Sequence, residues 1–293
     1  MCRDLDIVTE GRKIQAAGGF LILSIDFGST NTDVVLFDGK LATKKAGTQE
    51  KLFSAAELES FLKKAGFAPQ GIDAVAVTGG KSAFFTEKIF GLAPVHINEI
   101  DAIGSGAAFL AKQERCLVVS MGTGTCIVLF DNGKCTHVIG TGVGGGTITG
   151  LSRLLLGETN IPKLNSLADN GKTENIDLTI GDVVGKKFSM LNEKVTASNF
   201  AKPENCGKAD LAAGIQNLVA ESVAVLAVSA AKQCNCGAVV FCGKTPSFAF
   251  VKKRLLGASR LFGGNFLFPK NFEFATAIGA AIILQKKQGL GKG

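Results

Sequence analysis

The chain has 293 residues, long enough for one large domain or two small lobes, and either can bury a substantial core. Hydrophobic residues make up 46% and charged residues 19%, a globular composition that excludes a disordered chain. The net charge of +7 is spread along the chain, with Lys252-Lys253-Arg254 its longest basic run and no aromatic residues interleaved. A nucleic-acid partner is therefore not expected, and the positive potential suits an anionic small ligand such as ATP.

Residues 1–18 are polar and mixed in charge, without the apolar centre of a signal peptide, and no apolar stretch is expected to reach a membrane span. A cytoplasmic protein with no membrane partner is expected. Eight Cys accompany two His, with no C-x-x-C pair and a lone C-x-C at Cys234-Asn235-Cys236. Buried, reduced thiols are the simplest reading, and a metal site built from them lacks ligands.

In chain order, strand patterns are predicted at Phe20–Ile25, Asp33–Phe37, Ala74–Val77, Cys116–Ser120, Cys126–Phe130 and Ala238–Cys242. Helical periodicity falls at Ser54–Ala65, Ile103–Gln113, Thr147–Leu156 and Lys208–Gln233. The segment Asn160–Pro203 reads as loop with short helices, and the chain after Leu284 as a frayed tail. The alternation predicts an α/β fold with mixed sheets and flanking helices. Leu21–Asp38 (LILSIDFGSTNTDVVLFD) and Leu117–Asp131 (LVVSMGTGTCIVLFD) repeat one pattern, strand, Gly/Ser/Thr turn, strand, ending in Leu-Phe-Asp. That repeat predicts two lobes with a cleft between them: a first lobe over 19–112 and a second over 113–288, flanked by an extension at 1–18 and a tail at 289–293.

The first turn, Gly28-Ser29-Thr30-Asn31, follows a strand ending at Asp26. Small residues let backbone N–H groups approach phosphates, and a carboxylate at a strand end can hold Mg²⁺. Gly122-Thr123-Gly124-Thr125 offers the same chemistry from the other lobe, so the pair is predicted to clamp the β- and γ-phosphates. The run Gly140–Thr147, with Gly144, Gly145, Gly146 and Thr147 opening a helix, reads as an anion site made of unpaired first-turn N–H groups. Gly243-Lys244 follows a strand where a nucleotide base can pack, and Thr78-Gly79-Gly80-Lys81 is its counterpart in the first lobe. Glu99 and Asp101 precede the helix at Ile103. Asp101 reads as its N-cap, whereas for Glu99 helix-end charge and general-base chemistry both stand.

The duplicated turns are similar to those of the actin, hexokinase and acetate kinase superfamily. Within it, the chain resembles type II pantothenate kinases, the fumble family, over roughly residues 20–285. The resemblance rests on SMGTGTCIVLF (120–130), HVIGTGVGGGTITGLSRLLLG (137–157), LADNGKTENIDLTIGDVVG (167–185), TASNFAK (196–202), VVFCGKTPSF (239–248) and NEIDAIGSGAAFLA (98–111). It implies an actin-like ATPase fold of two lobes, and ATP-dependent phosphorylation of pantothenate to 4′-phosphopantothenate, with ATP and Mg²⁺ as cofactors. It implies Glu99 as the general base, the two turns as holders of ATP phosphates and Mg²⁺, and 140–147 as the shared cleft. A homodimer on the long helix, and an acyl-CoA inhibitor in some members, follow from the same resemblance.

Two positions depart from it. Asp33 stands where the family carries a Lys near the transferred phosphate, and His137 where it commonly carries an Arg. Lys81 or Lys244 are the candidates to supply the missing charge, with Thr78, Gly79 and His137 as further phosphate or substrate contacts. These departures keep two alternatives open: a kinase for another small hydroxylated metabolite, and a non-catalytic nucleotide-binding switch.

Overall fold

The computed structural model describes residues 6–9, 20–52, 54–184, 193, 195–202 and 205–289. Most of the 1–18 extension and residues 290–293 of the tail lie outside the described residues. The chain runs β1 (Asp6–Thr9), β2 (Ile22–Phe27), β3 (Thr32–Phe37), β4 (Ala42–Thr48), α1 (Ala55–Lys64), β5 (Ala74–Thr78), β6 (Pro94–His96) and α2 (Glu99–Ala111). There follow β7 (Arg115–Met121), β8 (Thr125–Asp131), β9 (Lys134–Thr141), α3 (Gly145–Leu156), α4 (Ile161–Asn170), β10 (Leu178–Thr179), α5 (Ile180–Val184) and β11 (Thr196–Ser198). Last come α6 (Lys208–Gln233), β12 (Ala238–Cys242), α7 (Ala249–Phe262), β13 (Asn265–Leu267) and α8 (Ala275–Lys287).

The first sheet has the order β1-β4-β3-β2-β5-β6 and the second β13-β12-β7-β8-β9. In each, two antiparallel pairings form a meander (β2-β3-β4 and β7-β8-β9) and two parallel strands follow (β5-β6 and β12-β13). The repeat seen in sequence is thus a repeat of whole sheets. Its central strands are near-continuous apolar runs because both faces are covered. On the first sheet Ile25, Val34 and Val75 pack with Leu58, Phe61 and Leu62 of α1, whose start is fixed by a Ser54–Glu57 capping box. The opposite face, Ile22, Val35 and Ala76, packs with Ala277, Ile278 and Ala281 of α8. On the second sheet Val118, Val128 and Val240 meet Ile103 and Ala107 of α2, while Leu117, Val119 and Ile127 meet Val219, Val223 and Ala227 of α6.

Helices α2 and α8 are therefore exchanged: α2 lies on the second sheet and the C-terminal α8 on the first. They cross where both carry glycine. A Cβ on Gly106 would run into the carbonyl of Ala275, and one on Gly279 into that of Ala102. The two backbones touch, which only glycine permits.

Three expectations are corrected. The frayed tail begins later than Leu284, because α8 continues to Lys287 and Gln288 N–H still donates to Leu284 O at 3.1 Å. The segment Asn160–Pro203 holds short helices as expected, α4 and α5, but adds the small β10–β11 sheet, while 185–192, 194 and 203 lie outside the described residues. Finally, α6 is long and apolar enough to cross a membrane by length and composition, but its apolar residues are mostly buried against the second sheet.

Candidate active site

Both turns lie between the sheets. Gly28–Asn31 links β2 to β3 and Gly122–Gly124 links β7 to β8, and the hydroxyls of Thr30 and Thr123 meet across the gap at 2.9 Å. Ser29, Thr30, Gly122 and Thr123 are exposed there. Each turn is braced by the strand beside its own β-hairpin. Gly79, at φ +91°, follows β5 so closely that a Cβ would lie 2.7 Å from Phe27 O; Gly243, at φ +86°, follows β12, and its Cβ would lie 2.5 Å from Met121 O. These two glycines hold equivalent places in the repeat.

The chemistry of the two lobes differs at equivalent positions. Asp26 pairs with Asp33 across β2–β3 and with Thr78 across β2–β5. In the second sheet Ser120, Cys126 and Cys242 occupy the same three places. At these three places the carboxylates belong to the first lobe alone. Oδ1 of Asp26 and Oγ1 of Thr78 are buried without a hydrogen-bond partner. Burial pushes the Asp26 carboxyl up to about 8, helped by the charges of Asp33 and Glu99 and opposed by Lys244. A buried, unsatisfied carboxylate oxygen at a strand end fits a hard cation such as Mg²⁺.

Glu99 opens α2, whose N-cap is Asn98. Its Oδ1 accepts from the N–H groups of Ile100 and Asp101 at 2.9 and 3.2 Å. Asp101 is thus a first-turn residue and not the cap. Glu99 is exposed to the cleft, yet surrounding protein raises its carboxyl pKa, and a Cβ on Gly80 would stand 3.8 Å from its Oε2. Its charge also reaches Cys126, whose thiol is pushed up to about 11 by burial and then by Glu99. Cys242 is raised to about 12 by burial, so the thiols in the second lobe's copy of the site stay protonated. Cys234 and Cys236 are free, and among the described residues no cluster of metal ligands forms.

Two expected phosphate contacts are spent inside the protein. Thr125 is buried and its hydroxyl donates to Val143 O at 2.8 Å. The N–H groups of Gly145 and Gly146 donate to Gly122 O and Thr123 O, both at 2.8 Å, and that of Gly144 to Thr147 Oγ1 at 3.1 Å. The Gly-rich run therefore docks the second turn and does not offer these N–H groups as an anion site. Its glycines are needed for that contact: a Cβ on Gly144 would lie 2.7 Å from Thr123 O. Thr245, a residue the sequence did not single out, completes the brace by donating to Gly122 O at 3.1 Å.

Of the basic candidates, Lys81 donates to Ser29 O at 2.7 Å, beneath the first turn. Lys244 reaches across the gap to Asp33, with Nζ 2.7 Å from Oδ1. The second departure, His137, is exposed on β9, the edge strand of the second sheet, beside Gly140. A bulge pairs it with Val128, placing it on the α2 face with Cys126.

The family model described as Fumble matches residues 114–252. Type II pantothenate kinase of Bacillus cereus (strain G9842) is 31% identical over 235 residues, covering 76% of this chain and 83% of that protein. Among solved structures, the activator of the 2-hydroxyisocaproyl-CoA dehydratase from Clostridium difficile with bound ADPNP superposes with a TM-score of 0.64 at 18% identity, covering 94% of this chain and 99% of that one. A ROK family glucokinase from Streptomyces griseus in complex with glucose and AMPPNP gives a TM-score of 0.56 at 14% identity, covering 90% of this chain and 98% of that one. The structural likenesses show the fold, that of the actin-like ATPases.

Proposed function

The chain belongs to the type II pantothenate kinase family, and from that membership we infer that it transfers the γ-phosphoryl group of ATP to pantothenate, giving 4′-phosphopantothenate and ADP, the first step of coenzyme A biosynthesis. The observation that carries this reading is the match to a pantothenate kinase over three quarters of the chain, spanning both sheets of the cleft. Phosphoryl transfer asks a protein mainly for positioning and charge stabilisation, and two facing turns with a carboxylate at the cleft mouth supply both.

Glu99 is assigned as the general base: it accepts the proton of pantothenate's primary hydroxyl as that oxygen attacks the γ-phosphorus and ADP leaves. Its raised pKa, from desolvation by the surrounding protein, makes it a better proton acceptor than an ordinary carboxylate. The exposed turn residues Ser29, Thr30 and Thr123 are assigned to the phosphates, Gly28, Asn31, Gly122 and Gly124 to shaping the turns, and Asp26 to Mg²⁺. When bound, Mg²⁺ would neutralise phosphate charge. Gly144–Thr147 and Gly243 shape the cleft, Thr78 and Gly79 support Asp26, and His137 is assigned to the substrate side. The protein is read as cytoplasmic, acting without nucleic acid or membrane.

A homodimer is proposed on α6 and its neighbour α3, where Val225, Leu154 and Leu155 are exposed apolar residues. Light scattering should give twice the chain mass, and Leu154→Glu should return it to the monomer. Inhibition by acyl-CoA is the corresponding regulatory expectation, tested by adding acetyl-CoA to the assay. The substrate itself is tested by ADP release with MgATP and a panel of hydroxylated metabolites. Stimulation by pantothenate above all others is expected; stimulation by a different member alone would reassign the substrate.

A further inference from the structure

One ion pair in the cleft joins the two lobes, and its members lie far apart in sequence. Lys244 follows β12 in the second lobe. Gly243 before it is pressed against Met121, and Thr245 after it is tied to Gly122 by a 3.1 Å hydrogen bond. The backbone of Lys244 is thus fixed to the second phosphate turn on both sides. Its side chain leaves the second lobe and places Nζ 2.7 Å from Asp33 Oδ1, which is buried on β3. Space for this contact exists because β4 has glycine opposite Asp33: a Cβ on Gly47 would lie 2.6 Å from Asp33 Oδ1 and 2.7 Å from Lys244 Nζ. Phe274 flanks the ammonium at 6.0 Å.

We propose that Lys244 is the cation that meets the triphosphate oxygens of ATP from the second-lobe side, and that Asp33 is the positioning residue that holds its ammonium over the cleft floor. The proposal rests on the reading of this cleft as an ATP site. An ammonium has three donors, so contact with Asp33 leaves others for a phosphate. Lys81 is placed differently, because its ammonium is anchored on the carbonyl of Ser29 beneath the turn. Asp33 also limits the cost of preorganisation: a four-carbon side chain already steered in the free protein loses less rotamer freedom on binding. The acid at position 33 thus directs a cation toward the phosphates and does not simply repel them.

The test is the binding of a fluorescent ATP analogue and, separately, of adenosine, in the presence of Mg²⁺ and without pantothenate. Loss of one charged contact predicts that Lys244→Met weakens the ATP analogue about 10- to 100-fold while leaving adenosine affinity unchanged. Lys244→Arg should recover much of the loss. Asp33→Asn should weaken the analogue less than Lys244→Met, and the double variant should bind it no worse than Lys244→Met alone, because Asp33 acts through the lysine. Equal loss of ATP analogue and adenosine, unchanged affinity for both, or additive losses in the double variant would each overturn the proposal. Because pantothenate is absent, a failed substrate assignment leaves this result standing, and a failed binding prediction leaves the substrate assignment standing.

Discussion

The roles proposed for Asp26 and Glu99 both depend on titration, and desolvation by the surrounding protein raises the pKa of each. Asp26 binds its proton up to about pH 8 in the folded chain, against an ordinary value of 3.8. Between those values the folded state holds more protons than the unfolded state, so stability falls as pH rises through the window. Asp26→Asn should therefore raise the melting temperature of the nucleotide-free protein near pH 8, by about 2–4 °C for each kcal/mol relieved, and the gain should vanish toward pH 4. A variant less stable than the wild type at pH 8 would contradict the burial argument. As the proposed general base, Glu99 must be ionised to accept a proton, so turnover should fall as pH drops through its raised pKa. The acidic limb should be missing in Glu99→Gln. The sequence pointed to both acids because each sits at an element boundary beside a motif. Their environment was not legible, since burial of Asp26 depends on Gly79 and Thr78 from another strand. Likewise Asp33 read only as a departure from the family's Lys, and its pairing with Lys244, distant in the chain, was not legible.

At the scale of elements, the repeated hairpins were legible because both copies keep β-branched strands around a small-residue turn. Strand β4 was not: Ala42–Thr48 carries Lys44, Lys45 and Gly47, which break the apolar pattern although most of the strand is buried. Lys45 is buried there because its ammonium donates to Asn271 Oδ1 at 2.7 Å, in the segment that carries the chain back toward the first sheet. Helix α8 was missed for the opposite reason: its run of Ala and Ile shows little amphipathic period when it is buried nearly all round. The α2–α8 crossing gives a sharp test. Gly106→Val or Gly279→Val would force the touching backbones apart and should destabilise the chain by more than about 3 kcal/mol, read as a lowered denaturant midpoint. A second test concerns Asp177 and Phe200, which are held to α6 through the Asp177 carboxylate. That carboxylate accepts from Asn217 Nδ2 at 2.8 Å and from Phe200 N–H at 2.9 Å, and Arg254 ties Asn217 to Glu221. Asn217→Ala leaves a buried acid short of a partner and should cost about 1–3 kcal/mol in the same measurement.

Across the whole molecule, the exchange of α2 and α8 explains why the lobes cannot be cut apart at residue 112. Each sheet is covered by a helix from the other half of the chain, so the repeat is duplicated in sequence and interlocked in space. The arrangement puts Glu99, at the start of the helix that covers the second sheet, opposite the acids of the first. Division of labour between the lobes follows: the first supplies Asp26, Asp33 and Glu99, while the second keeps Ser120, Cys126 and Cys242 and contributes Lys244 and the docked Gly-rich run. The most direct measurement is mass-spectrometric detection of 4′-phosphopantothenate beside ADP, in wild type and Glu99→Gln at saturating MgATP. We predict equimolar products from the wild type, and a variant that still binds ATP but turns over about 10²–10⁴-fold more slowly. Wild-type turnover in the variant, or ADP formed without phosphopantothenate, would contradict the account.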